Sequence, residues 1–283
     1  MKDPKAHVPR REIFTYRDLS LEYIRVGSGA RVIIAFHGFG RKPEDFLVFR
    51  PLLHGEQSLI SIHLFMHGQS CFPKERIPSH PLGTQEFAEC IAAFISSLGI
   101  DKVDLLGYSL GGKIALCLIE QIPERIREVL LFAPDGLKIN PLYKWTSNTR
   151  SGRALYRLIL AKPKMFFSAV ALAKQFGVIP EKIHRFVMYH MNTYEKRKLV
   201  YDVWLVYRNF EPNPLKIRRM CENHSIRINL VFGKFDRIIP PANSKRLLKG
   251  WRPECLHVLE KGHLLLSADI AAQIKPLWFG CQG

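Results

Sequence analysis

Residues 103–122 read VDLLGYSLGGKIALCLIEQI. A short apolar run, VDLL, passes through Gly107-Tyr108-Ser109-Leu110-Gly111-Gly112 into KIALCLIEQI, whose apolar residues recur at helical spacing. The pattern is a strand turning sharply into a helix with a serine on the turn. G-x-S-x-G alone arises about 0.1 times by chance in a chain of this length. The strand before it and the helix after it give it meaning. A serine on such a turn is held in a strained conformation with its hydroxyl exposed, and glycines flank it because side chains there would clash. The helix N-terminus adds backbone N–H groups and partial positive charge where an oxyanion would form.

Outward from this turn, apolar runs alternate with helical patterns. Residues 12–14 and 19–26 alternate apolar and polar side chains and read as half-buried antiparallel strands. RVIIAF at 31–36 reads as a strand buried on both faces, ending at His37-Gly38-Phe39-Gly40. Pro43 opens a helical stretch, and residues 59–64 form another buried strand before the loop His67-Gly68-Gln69-Ser70. Residues 84–98 carry helical spacing, and Gly99 closes that helix. Strands follow at 128–132, 226–232 and 256–259, a helix near 244–248, and Gly262-His263 opens the last helix. This alternation predicts an α/β fold: a mainly parallel eight-stranded sheet with helices on both faces.

Between the strands at 128–132 and 226–232 the alternation stops. Residues 136–215 carry short helical patterns and no clear strand, which predicts a helical cap inserted into a core made of 1–135 and 216–283. Its aromatics, among them Tyr143, Trp145, Phe166, Phe167, Phe186, Tyr189, Trp204 and Tyr207, are expected to pack the cap. The charge is concentrated there. Residues 138–219 hold 17 Lys/Arg against 4 Asp/Glu, a surplus of 13 that leaves only about +4 of the chain's +17 elsewhere.

Serine needs a base within hydrogen-bond reach, and the base needs an orienting acid. His263 follows a glycine just after the last strand. Asp236, in Gly233-x-x-Asp236-x-x-x-Pro240, ends the preceding strand, and Asp135 lies just past the strand at 128–132 as the alternative acid. His37 reads as a loop-shaping residue. His63 and His67 are four apart but not on a helix, so no metal site is expected there.

With these motifs in hand, the chain resembles the α/β-hydrolase superfamily with an inserted cap. The resemblance runs in order through His37-Gly38, His67-Gly68-x-Ser70, Gly-Tyr-Ser-Leu-Gly-Gly, Gly233-x-x-Asp236 and Gly262-His263, nearly the whole chain. It implies Ser109 as nucleophile, His263 as general base and Asp236 as orienting acid, with oxyanion donors at the backbone N–H groups of Phe39 and Leu110. Two features depart from the family. Ile62-His63-Leu64-Phe65-Met66 stands where an Asp and a glycine are usual, and the cap is far more basic.

The expected activity is hydrolysis of a carboxylic ester or thioester through an acyl-enzyme. The same triad also serves carbon–carbon bond hydrolysis and acyl transfer, and the fold also serves non-catalytic binding proteins. Dehalogenation is disfavoured, because it needs a carboxylate where this chain has Ser109. No cofactor and no metal are expected. The expected partner is a small-molecule substrate, anionic ones included, and the basic cap suits contact with an acidic or membrane surface. No nucleic-acid motif occurs, no apolar run is long enough to span a membrane, and no secretory signal opens the chain, so a cytoplasmic location is expected. The six scattered cysteines read as reduced.

Overall fold

The apolar runs become the centre of an eight-stranded sheet. In the computed structural model, which describes residues 9–179 and 181–280, the strands are β1 (Arg11–Tyr16), β2 (Leu19–Val26), β3 (Arg31–Phe36), β4 (Gln57–Ile62), β5 (Val103–Tyr108), β6 (Ile126–Phe132), β7 (Arg227–Gly233) and β8 (Leu256–Leu259). Their order is β1-β2-β4-β3-β5-β6-β7-β8. The β1–β2 and β2–β4 pairs are antiparallel, and every later pair is parallel. β4 and β5 are buried along their whole length, as strands covered on both faces must be, while edge strand β1 is largely exposed.

The helices are α1 (Thr84–Ser97), α2 (Leu110–Gln121), α3 (Pro141–Asn148), α4 (Arg150–Ala161), α5 (Pro163–Gln175), α6 (Glu181–His190), α7 (Tyr194–Val206), α8 (Pro214–Asn223), α9 (Lys245–Leu248) and α10 (Ala268–Gln273). Residues Leu110 to Ile119 of α2 are all buried, Lys113 among them, as in a helix enclosed on every side. Phe49 stacks on Phe132 with ring centroids 5.3 Å apart and meets Trp278 at 5.6 Å. The Trp278 indole N–H donates to the Gln57 side chain at 3.1 Å, tying the end of the described chain to β4.

The chain divides into two compact units. The larger comprises the described residues of Met1–Pro73, Thr84–Leu137 and Phe210–Gly283 and contains the sheet; the smaller comprises Lys74–Gly83 and Lys138–Asn209 and contains α3 to α7. Tyr156 centres the small unit's core, stacked on Tyr201 at 4.7 Å and edge-on to Trp204 at 6.0 Å. Asn140, Thr149 and Thr193 cap α3, α4 and α7 through their side-chain oxygens.

The structure corrects several expectations. β4 ends at Ile62 rather than 64, because the Leu64 N–H donates to the His37 imidazole and Met66 takes a positive φ of 69° that no strand permits. Residues Gly262 and His263 do not open the last helix. The His263 carbonyl accepts the Tyr108 hydroxyl at 3.0 Å, and α10 starts only at Ala268. Arg11 begins β1 and pairs with Glu22 and Glu44. Among the aromatics expected to pack the cap, Tyr207 is buried, but Trp145 and Tyr189 are exposed. The Phe186 side chain and Cys281 lie outside the described residues. The other five cysteines are free.

Glu22 is a charge inside the larger unit, only 1% exposed in β2. Its carboxylate accepts from the Arg11 guanidinium at 2.7 Å, the Gln69 N–H at 2.8 Å and His63 Nδ1 at 2.6 Å. Burial alone would raise its pKa; the Gln69, Arg11 and His63 hydrogen bonds outweigh that and hold it at about 2. A folded pKa below the ordinary value of 4.5 means that the stabilisation is complete above about pH 4.5 and is lost as pH falls through 2. Chemical denaturation of Glu22→Gln should therefore show a deficit of roughly 3 kcal/mol at neutral pH. That deficit should shrink steadily below about pH 4.5, whereas a gap independent of pH would show that the charge of Glu22 contributes nothing.

Candidate active site

Ser109 joins β5 to α2 with φ 53° and ψ −114°, left-handed backbone that non-glycine residues avoid. The conformation is held from both sides. The Ser109 N–H donates to the Phe132 carbonyl at 2.9 Å, and the Ser109 carbonyl accepts from the Asp135 N–H at 3.0 Å and the Lys113 N–H at 3.2 Å. The flanking glycines are sterically required. A Cβ on Gly111 would lie 1.8 Å from the Phe36 carbonyl oxygen, one on Gly107 would lie 2.8 Å from the Gly112 Cα, and one on Gly112 would lie 2.7 Å from the Pro134 Cα. The helix can thus start directly against β3 and β6. Tyr108 and Leu110 are buried, while Ser109 between them stays partly open to solvent.

His263 and Asp236 come together from the loops after β8 and β7. A Cβ on Gly233 would lie 2.1 Å from the Gly262 carbonyl oxygen, and the Phe235 N–H donates to the Lys261 carbonyl at 2.9 Å, so the two loops run in close contact. Asp236 Oδ2 accepts from His263 Nδ1 at 2.7 Å. Oδ1 accepts from the Ile238 and Ile239 N–H groups at 2.8 and 2.9 Å. The carboxylate is therefore fully engaged in a buried setting, while the His263 side chain keeps 17% of its surface. An acceptor at Nδ1 fixes the proton there and leaves Nε2 as the basic nitrogen. Asp135 meets the elbow through its backbone N–H on Ser109; the carboxylate on His263 is that of Asp236.

The loop after β3 runs beside the elbow. A Cβ on Gly38 would lie 2.9 Å from the Tyr108 ring and 3.3 Å from the Ser109 Cβ, so only a glycine lets this loop approach the serine. Two imidazoles frame Phe39. His37 Nδ1 donates to the Gly38 carbonyl at 2.7 Å, and His67 Nε2 accepts from the Gly40 N–H at 3.0 Å. Burial drives the pKa of His37 well below the ordinary value, and that of His67 down to about 4. Both rings are consequently neutral at pH 7 and can each donate at one nitrogen and accept at the other. Leu110 opens α2, where an N–H has no intrahelical partner.

Sequence reasoning missed three contributors. Tyr108 packs its ring on His263 with centroids 5.3 Å apart and bonds its hydroxyl to the His263 backbone. Its place as the variable residue of G-x-S-x-G carries no signal. His67 supports the loop after β3, and His63 with Glu22 anchors the loop that carries His67. The signal for that pair was present only as the departure of the stretch Ile62-His63-Leu64-Phe65-Met66 from the family pattern.

A family model described as alpha/beta hydrolase fold matches residues 31–188. The chain is similar to the dihydrolipoyllysine-residue acetyltransferase component of the acetoin cleaving system of Pseudomonas putida, 25% identical over 264 residues, 88% of this chain and 62% of that protein. It is also similar to the (lyso)-N-acylphosphatidylethanolamine lipase of Mus musculus, 30% identical over 110 residues, 38% of this chain and 32% of that one. The matches thus span less than two thirds of either relative. Among solved structures, a thermophilic esterase from Thermogutta terrifontis shares the fold with a TM-score of 0.64 at 19% identity, covering 95% of this chain and 97% of that one. The chain belongs to the alpha/beta hydrolase fold family.

Proposed function

We propose that the protein hydrolyses a carboxylic ester or thioester through a covalent acyl-enzyme on Ser109. The observation that carries this reading is the 2.7 Å bond from His263 to buried Asp236, with His263 packed on Tyr108, the neighbour of a serine held at positive φ. His263 Nε2 takes the Ser109 proton as Oγ attacks the carbonyl carbon, and Asp236 stabilises the imidazolium that forms. The tetrahedral oxyanion is stabilised by the backbone N–H groups of Leu110 and Phe39, the first aided by the positive end of α2. His263 then protonates the leaving alcohol or thiol. Water, deprotonated by the same nitrogen, attacks the acyl-enzyme and releases the acid and the free serine. The name of the lipase relative supports ester chemistry.

Hydrolysis of short-chain p-nitrophenyl esters checks the nucleophile: Ser109→Ala should lower kcat/KM by about 10⁴-fold or more. Retention of the parent rate in that variant would end the proposal. The acid is checked by a pair of substitutions. Asp236→Asn should lower kcat by roughly 10³- to 10⁴-fold with the fold intact, because an amide misplaces the imidazole proton, and Asp135→Asn should change it by less than about tenfold. The reverse ranking would move the orienting role to Asp135.

A further inference from the structure

The smaller unit carries 16 Lys/Arg against 4 Asp/Glu, a formal charge of +12. Within it, α5 reads PKMFFSAVALAKQ, and eight of its thirteen residues are Ala, Val, Leu, Met or Phe, yet none is buried. A helix of this composition ordinarily hides an apolar face against a neighbour. Here Met165 and Leu172, seven apart and so on one face, are 61% and 55% exposed, and Phe176 and Val178 just beyond are 71% and 72% exposed. Leu155 and Leu158 on α4, which packs against α5, are exposed as well. Cations are interleaved with these side chains. Arg157, Lys162 and Lys164 form no ion pair among the described residues, and Lys174 pairs with Glu181 at 3.4 Å.

We infer that the α4–α5 arm docks on an anionic phospholipid surface. Exposed apolar side chains flanked by unpaired Lys and Arg match the boundary of such a bilayer, where the apolar groups enter the acyl region and the cations meet phosphates. The long Lys and Arg stems reach past the apolar face to do so. A second copy of the chain is a poorer occupant, because it would bring a +12 unit against another +12 unit. An acidic protein would satisfy the cations without requiring Leu, Met and Phe to stand in water between them. The inference is independent of the catalytic mechanism, since adsorption is measured without turnover.

Sedimentation of the full chain with phosphatidylcholine vesicles, with and without about 30% phosphatidylglycerol, tests it at about 0.1 M salt. Partitioning should be at least about tenfold stronger onto the anionic vesicles. The double variant L172E/F176E should lose about tenfold or more of that partitioning while keeping the parent circular dichroism. A second variant, R157Q/K162Q/K164Q, should lose the preference for anionic lipid, which keeps the test valid if the first variant folds poorly. Equal partitioning of parent and folded variants, or absence of binding to either vesicle, overturns the inference. So does self-association that L172E/F176E abolishes without any vesicle binding.

Discussion

The backbone of Ser109 is the constraint on which the rest of the site depends. A non-glycine residue at φ 53° costs about 1–3 kcal/mol and persists only where its surroundings leave no alternative. Those surroundings are specific. β6 supplies a carbonyl to the Ser109 N–H, the Asp135 and Lys113 N–H groups take up the Ser109 carbonyl, and Gly107, Gly111 and Gly112 allow strands and helix to meet within a Cβ radius. The result is an open serine between two buried neighbours, at the positive end of a helix whose first ten residues are buried. Strain and helix dipole thus come from the same local geometry.

Around this fixed point the larger unit arranges neutral and charged imidazole partners differently. His37 and His67 are desolvated, neutral and bonded to backbone groups, so they serve as spacers that hold the loop beside Ser109. His263 instead faces a carboxylate through Nδ1 and retains some exposure, the setting that the proposed role of general base requires. His63 pairs with Glu22, a carboxylate 41 residues away in the chain. One residue type therefore fills three roles, separated by the partner at the second nitrogen.

Much of this was legible in the sequence because it is local. RVIIAF reads as a doubly buried strand and is one, and Ser109, Asp236 and His263 each follow a strand end marked by glycine. What escaped was set by distant partners. Alternation in LSLEYIRV places Glu22 toward solvent, yet the loop at 63–70 folds over it and buries it. The helix expected at Gly262 is absent because Tyr108, 155 residues away in sequence, claims the His263 carbonyl. Phe166 and Phe167 of α5 are half-buried, as expected of cap aromatics, but Met165, Leu172 and Phe176 beside them stand exposed. Periodicity reports what a segment could bury, and the rest of the fold decides whether it is buried.

The central claim is that this backbone geometry makes one serine nucleophilic. Reaction of the protein with a fluorophosphonate probe, followed by mass spectrometry of the digested chain, tests that claim without knowledge of the natural substrate. The account predicts a single stoichiometric adduct on Ser109, formed much more slowly when Asp236 is replaced by Asn. An adduct on a different residue, or labelling of Ser109 at the same rate without the Asp236 carboxylate, would contradict it.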